Sequence, residues 1–192
     1  MIKLKHILSE QLKKSYANLL KRFFTGYTGS RQGKSSLEAL YKVKNKSPFS
    51  DIIKMHKISK GPYYRGMELD KVPKKGDTFK FRFGGWSTRK EKGMFYGRFA
   101  DTQVVFIKKN SKHAFLDAKG LGNSIVRYIE KHHPDWEEKQ DYPHINYELS
   151  DLMSFAKRGG AFGNEGEVVF EPHNAKVKKV FKKDNVYFVE VE

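Results

Sequence analysis

The chain has 192 residues, 38% hydrophobic and 14% aromatic, enough to bury a core and too apolar for wholesale disorder. Lys and Arg number 38 against 22 Asp and Glu, a formal charge of +16 that suits polyanionic partners. Cysteine is absent, which excludes disulfides and thiolate metal sites, and no apolar run approaches the roughly 20 residues needed to span a bilayer.

The N-terminus alternates lysines with apolar residues from Met1 to Glu10, so it lacks the unbroken apolar centre of a secretory signal. A cytoplasmic setting without membrane contact is the expectation. The charge is uneven: residues 1–60 hold 14 Lys/Arg and 3 Asp/Glu, a net +11. Such a lobe would attract polyanions by counterion release, or serve solubility alone. Within it, Ile7–Phe24 reads as an amphipathic helix, with Leu8, Leu12, Tyr16, Leu19, Leu20 and Phe23 at steps of three and four. Gly26, Gly29 and Gly33 then loosen the chain, and Ser35 or Ser36 is placed to cap a short helix through Tyr41.

Strand-like segments begin after Gly61: Tyr63–Met67, Thr78–Phe83, Val104–Lys108, Glu167–Phe170, Lys176–Phe181 and Val186–Val191. Helix patterns at Asn123–Lys131 and Ile145–Lys157 flank a polar loop, His132–Tyr142. Helices followed by strands with helices inserted predict an α+β fold. The expected division is a basic helical lobe over 1–60 and one compact core over 61–192.

Three apparent motifs fail on spacing. Gly29-Ser30-Arg31-Gln32-Gly33-Lys34-Ser35 has three residues between its glycines where a phosphate loop has four, and it follows a helix pattern. Gly120-Leu121-Gly122 lacks the third glycine of a dinucleotide fingerprint and reads as a turn before a helix. His132, His133 and His144 have no metal-ligand spacing, so no metal site is expected.

Three other segments carry chemistry. Tyr63-Tyr64-Arg65-Gly66-Met67 sets an arginine in an apolar, aromatic run, where the guanidinium needs an anion, either an internal carboxylate or a ligand. Phe83-Gly84-Gly85-Trp86-Ser87-Thr88-Arg89 ends a strand-like run in two hydroxyls. Glu165-Gly166-Glu167-Val168-Val169-Phe170 puts two carboxylates at i and i+2 on one face of an extended chain, about 6–7 Å apart. That proximity is unfavourable unless a cation lies between them, whether a metal, a guanidinium or a developing carbocation. The rest of the chain favours the last two.

In their order, these segments resemble the Arg-Ser-Glu class of mono-ADP-ribosyltransferases over roughly residues 61–192. The class includes C3-like and binary toxins, arginine-modifying ectoenzymes and the modifying enzymes of T-even bacteriophages. The small size and basic balance look most like the phage enzymes. The resemblance implies a split β-sandwich of two small sheets with a helical N-terminal lobe, and NAD+ as co-substrate without a metal. It implies that Arg65, beside Gly66, holds the NAD+ diphosphate. Ser87 would hold the catalytic glutamate and Thr88 brace the strand. Glu167 would meet the 2′-hydroxyl of the nicotinamide ribose and stabilise its oxocarbenium. Glu165 would bind an acceptor arginine, with Phe162 in a target-recognition turn. The implied partner is a protein with an accessible arginine, associated with nucleic acid in the transcription or translation machinery. A monomer in a host cytoplasm, carried there in a virion, completes the implication. Arg89 stands where the class often has a second hydroxyl. Two competing readings are a basic nucleic-acid-binding module and a transferase acting on nucleic acid.

Overall fold

The structure, a computed structural model, describes residues 18–22, 31–47, 49–95, 98, 102–132, 134, 146–158 and 166–192. The chain forms two compact units. One unit comprises residues 1–57 and 118–163; the other comprises 58–117 and 164–192.

The first unit is helical. Its described elements are a helical stretch at 18–22 and four helices, α1 (Arg31–Val43), α2 (Phe49–Met55), α4 (Ala118–His132) and α5 (Asn146–Lys157). The core joins Leu20, Leu37, Leu40, Phe49 and Ile52 with Leu121, Ile125 and Ile129 of α4 and Leu152 and Met153 of α5, all buried. Lys21 pairs with Asp151 at 2.5 Å. Two readings change here. The helix expected from Ser35 or Ser36 begins at Arg31, and Gly120 and Gly122 lie inside α4 rather than in a turn before it. Buried Leu121, Ile125 and Ile129 hold that amphipathic face against the unit's core, offsetting the roughly 1 kcal/mol each glycine costs a helix. Of the predicted Ile7–Phe24 helix, residues 18–22 are helical and the others lie outside the described residues. Among the described residues no helix is long and apolar enough to cross a membrane.

Among its described residues the second unit holds eight strands and one short helix. The strands are β1 (Tyr63–Glu68), β2 (Thr78–Phe81), β3 (Gly84–Ser87), β4 (Gln103–Lys108), β5 (Ala114–Asp117), β6 (Glu167–Phe170), β7 (His173–Lys183) and β8 (Val186–Val191); α3 spans Lys90–Phe95. They run in the order β2-β7-β8-β4-β1-β3-β6-β5, antiparallel except for the parallel pair β4–β8. The α+β class is therefore the fold. β7 serves two neighbours: its start pairs with β2 and its remainder with β8, with a bulge between Val177 and Lys179. Asp184 and Asn185, at φ 49° and 62°, make the two-residue turn that joins β7 to β8.

The order curls upon itself. β2 lies at one end of it, yet Phe81 meets Phe106 of β4 at 5.0 Å and Trp86 of β3 at 5.1 Å between ring centroids. Twist, strengthened locally at the bulge, lets the ends approach. Between them lies an aromatic and β-branched core of Tyr63, Phe81, Trp86, Phe106, Phe170 and Val189. On the outer side, Tyr64, Val105, Ile107 and Phe188 pack with Met94 of α3.

Candidate active site

β3 and β6 pair in register over their whole length, Gly84 with Phe170 through Ser87 with Glu167. Trp86 and Val168 are buried in the core, so alternation turns Ser87 and Glu167 to the other face, directly opposite one another. Directly opposite side chains on an antiparallel pair have Cβ atoms about 5 Å apart. Ser87 is buried, and its Oγ accepts the Arg89 N–H at 2.9 Å, an arrangement that fixes the chain as it leaves β3. A hydroxyl that accepts in this way still carries a proton to donate.

The Glu167 carboxylate rests on Gly85. A Cβ at Gly85 would collide with Glu167 Oε1, so only a residue without a side chain leaves that seat open. Glu167 Oε2 is sealed from solvent. The turn before Glu167 is clamped from the same strand end. Thr88 N–H donates to the Gly166 carbonyl at 2.9 Å, and Thr88 Oγ1 donates to the same oxygen at 3.3 Å. Gly166 has φ +64°, in the left-handed region that favours glycine.

Arg65 lies elsewhere on the sheet. It pairs in register with Phe106, and its guanidinium covers Gly84, where a Cβ would stand 2.5 Å from Nη2. Its Nη1 donates to the Arg82 carbonyl at 3.4 Å, and its Cζ is 5.9 Å from the Phe81 ring centre. Because Gly84 and Gly85 face opposite sides of β3, Arg65 and Glu167 approach that strand from opposite sides. Ser87, Thr88 and Glu167 are thus brought together, with Arg65 across the strand. Gly66 is buried within β1. Arg89 turns outward, its Nε 2.6 Å from Glu91 Oε1. Glu165 and Phe162 lie outside the described residues.

Sequence reasoning passed over the seat at Gly85. Its signal was the Gly84-Gly85 pair inside an aromatic strand, where glycine otherwise weakens pairing and marks a close approach. It also passed over a cationic group within the core. Lys108 and His173 are buried, with Lys108 Nζ 6.0 Å from the Phe170 ring centre. Burial lowers the Lys108 pKa, and Lys112 lowers it further. His173 donates from Nδ1 to the Glu171 carbonyl at 2.7 Å and stacks on His113 at 4.9 Å. Burial, followed by the nearby Lys108, His113 and Arg65, lowers the His173 pKa despite that hydrogen bond.

No protein-family model and no curated protein matches the chain. Among solved structures, the ADP-ribosyltransferase Vis in complex with M6 inhibitor is similar at 16% identity and a TM-score of 0.44, over 95% of this chain and 69% of that one. The same enzyme in complex with agmatine gives 16% and 0.41, over 95% and 70%. Vis toxin, an ADP-ribosyltransferase from Vibrio splendidus, gives 16% and 0.41, over 90% and 65%. A likeness this distant carries no assignment of activity.

Proposed function

We propose that the chain is an NAD+-dependent mono-ADP-ribosyltransferase that transfers ADP-ribose to arginine of a target protein and releases nicotinamide. The motif order Arg65-Gly66, Ser87-Thr88, Glu165-x-Glu167 suggests the class. The observation that carries the reading is the juxtaposition of Ser87 and Glu167 across β3–β6, with the carboxylate seated on Gly85 and the preceding turn clamped by Thr88.

A carboxylate held in this way suits a reaction in which positive charge develops on a sugar. Glu167 accepts a hydrogen bond from the ribose 2′-hydroxyl as the bond from C1′ to the nicotinamide nitrogen breaks. Nicotinamide leaves with the bonding pair, and the carboxylate stabilises the oxocarbenium left behind. Ser87 orients Glu167. Glu165 receives the acceptor guanidinium, which is protonated at cellular pH and therefore a poor nucleophile, and takes a proton as nitrogen bonds to C1′. Arg65 grips the diphosphate through its fork of donors. Phe162 contacts the target, a protein of the nucleic-acid-associated machinery.

The test separates the two glutamates. Glu167→Gln should lower both nicotinamide release and transfer by on the order of 10²–10³-fold, with NAD+ affinity nearly unchanged, because the charge it meets exists mainly in the transition state. Glu165→Gln should lose arginine modification and keep much of the hydrolysis, since water still captures the oxocarbenium. Near-normal nicotinamide release from folded Glu167→Gln would sink the reading.

A further inference from the structure

The second unit carries a lysine face that the active-site reading does not use. Thr78 pairs with Lys176 and Lys80 with Asn174, so these exposed side chains share the side of the β2–β7 pair opposite the buried His173, Ala175 and Val177. Strict alternation beyond Val177 would send Lys179 into the core. The bulge prevents it: Val177 pairs with Val191 and Lys179 with Glu190, which makes Lys178 the extra residue. Lys178 and Lys179 therefore both stand on the outer side, and Lys183 follows at two-residue steps beyond Phe181.

Among the described residues two acids on this face, Glu190 and Glu192, are both engaged. Glu192 pairs with Lys178 at 2.5 Å and Glu190 with Lys109 at 3.1 Å. Among the described residues Lys80, Lys176, Lys179 and Lys183 have no carboxylate within ion-pair distance. At the start of β2, beside Thr78, lies a groove of about 490 Å³ lined by Lys71 and Lys74 together with Val72, Pro73, Asp77 and Phe79. The groove's acid, Asp77, accepts the Lys74 backbone N–H at 2.8 Å.

From this arrangement we infer that the outer face of β2 and β7 is a docking surface for the phosphate backbone of a nucleic acid, contacted without regard to sequence. It stands whether or not the chain uses NAD+. Flexible ammonium groups on a strand are suited to phosphates, and such contacts position a nucleic acid without reading its bases. A protein partner fits less well. Protein interfaces are depleted of lysine and built around aromatic or arginine anchors. Here the exposed positions Asn174, Lys176, Lys178 and Lys179 offer neither, and the neighbouring Phe181 is half-buried, stacked on Phe188 with the Lys179 ammonium 5.2 Å from its ring centre.

The test is fluorescence anisotropy of the full chain with a labelled duplex of about 20 base pairs, between about 50 and 200 mM salt. The variant K80Q/K176Q/K179Q should bind at least about tenfold more weakly, and its log–log salt slope should fall by about 2.7, at about 0.9 per phosphate contact. A charge-matched control in the helical unit and its border, K42Q/K57Q/K131Q, should change far less. Nicotinamide release should be the same in both, and matching thermal melts would show both fold. Equal losses in the two variants, or an unchanged slope in the first, would overturn the inference. So would a wild-type chain that ignores the duplex but binds polyglutamate through these lysines, since the partner would then be an acidic protein.

Discussion

Alanine at Gly84 and at Gly85 should produce different defects although the positions are adjacent. At Gly85 the new methyl displaces the Glu167 carboxylate, and a displacement near 1 Å in a reacting group costs about 10²-fold in rate. At Gly84 it displaces the Arg65 guanidinium, so KM for NAD+ should rise about tenfold while kcat stays close to normal, the signature of lost ground-state binding. Steady-state nicotinamide release measures both. A kcat defect in Gly84→Ala, or none in Gly85→Ala, would contradict the roles given to Arg65 and Glu167. At this scale the sequence makes Ser87 and Glu167 legible as chemistry-bearing residues on strand ends. That the two are cross-strand partners is a matter of register, which no local pattern states. The same holds for Gly85, whose meaning depends on a side chain 82 positions away.

Among elements, the β3–β6 junction depends on one backbone conformation. Gly166→Ala would force a side chain into the left-handed region and set its methyl against Thr88 Oγ1. Urea unfolding should show a loss of about 1–2 kcal/mol for the conformation alone, with more from the contact. Adding Thr88→Ala should recover the contact part and leave the conformational part, and nicotinamide release should recover with it. No recovery would mean that the contact with Thr88 Oγ1 is not what costs the variant its stability. Among the elements read best from sequence was β4, a short unbroken apolar and β-branched run whose Val104–Lys108 are continuously buried. β3 was legible only as a strand-like run ending in Ser87-Thr88, without bounds, because Gly84 and Gly85 give it no alternation to read. β5 was missed because Ala114–Asp117 shows no apolar alternation either. α3 was missed because its six residues include Gly93, which is needed where the helix meets Tyr64. Helix α2, seven residues from Phe49 to Met55, has the same difficulty of length.

For the molecule as a whole, the buried bases predict how stability follows pH. His173 has a folded pKa below its ordinary 6.5 and Lys108 one below 10.5, so in each window the unfolded chain binds more protons. Stability should therefore rise with pH through both windows, from the folded pKa up to the unfolded one. As pH falls below the ordinary histidine pKa, the unmodified protein should lose more in Tm than His173→Asn does, as measured by thermal melts across that range. Lys108→Met, which replaces a buried ammonium with an apolar side chain of similar length, should flatten the alkaline rise and cost little at neutral pH. Identical acid profiles with and without His173 would exclude it as a determinant.

The pairing of β5 with β6 has a further consequence. Asp117, the last residue of β5, lies opposite Val168, and its Oδ2 accepts the Ser59 N–H at 2.9 Å. Chain exit and re-entry are thus neighbours on the sheet, and everything from 118 to 163 is, topologically, the connection of one antiparallel hairpin. Loop closure costs grow only slowly with length, so such a connection can lengthen, shorten or be exchanged without disturbing the register of the strands it joins. Replacing it with a tight turn would keep Ser87 and Glu167 in the chain but take Leu121, Ile125, Ile129, Leu152 and Met153 out of the helical core, so the cost would fall on the first unit. The residues proposed for the donor half, Arg65, Ser87 and Glu167, thus belong to a different unit from the segment that holds Phe162.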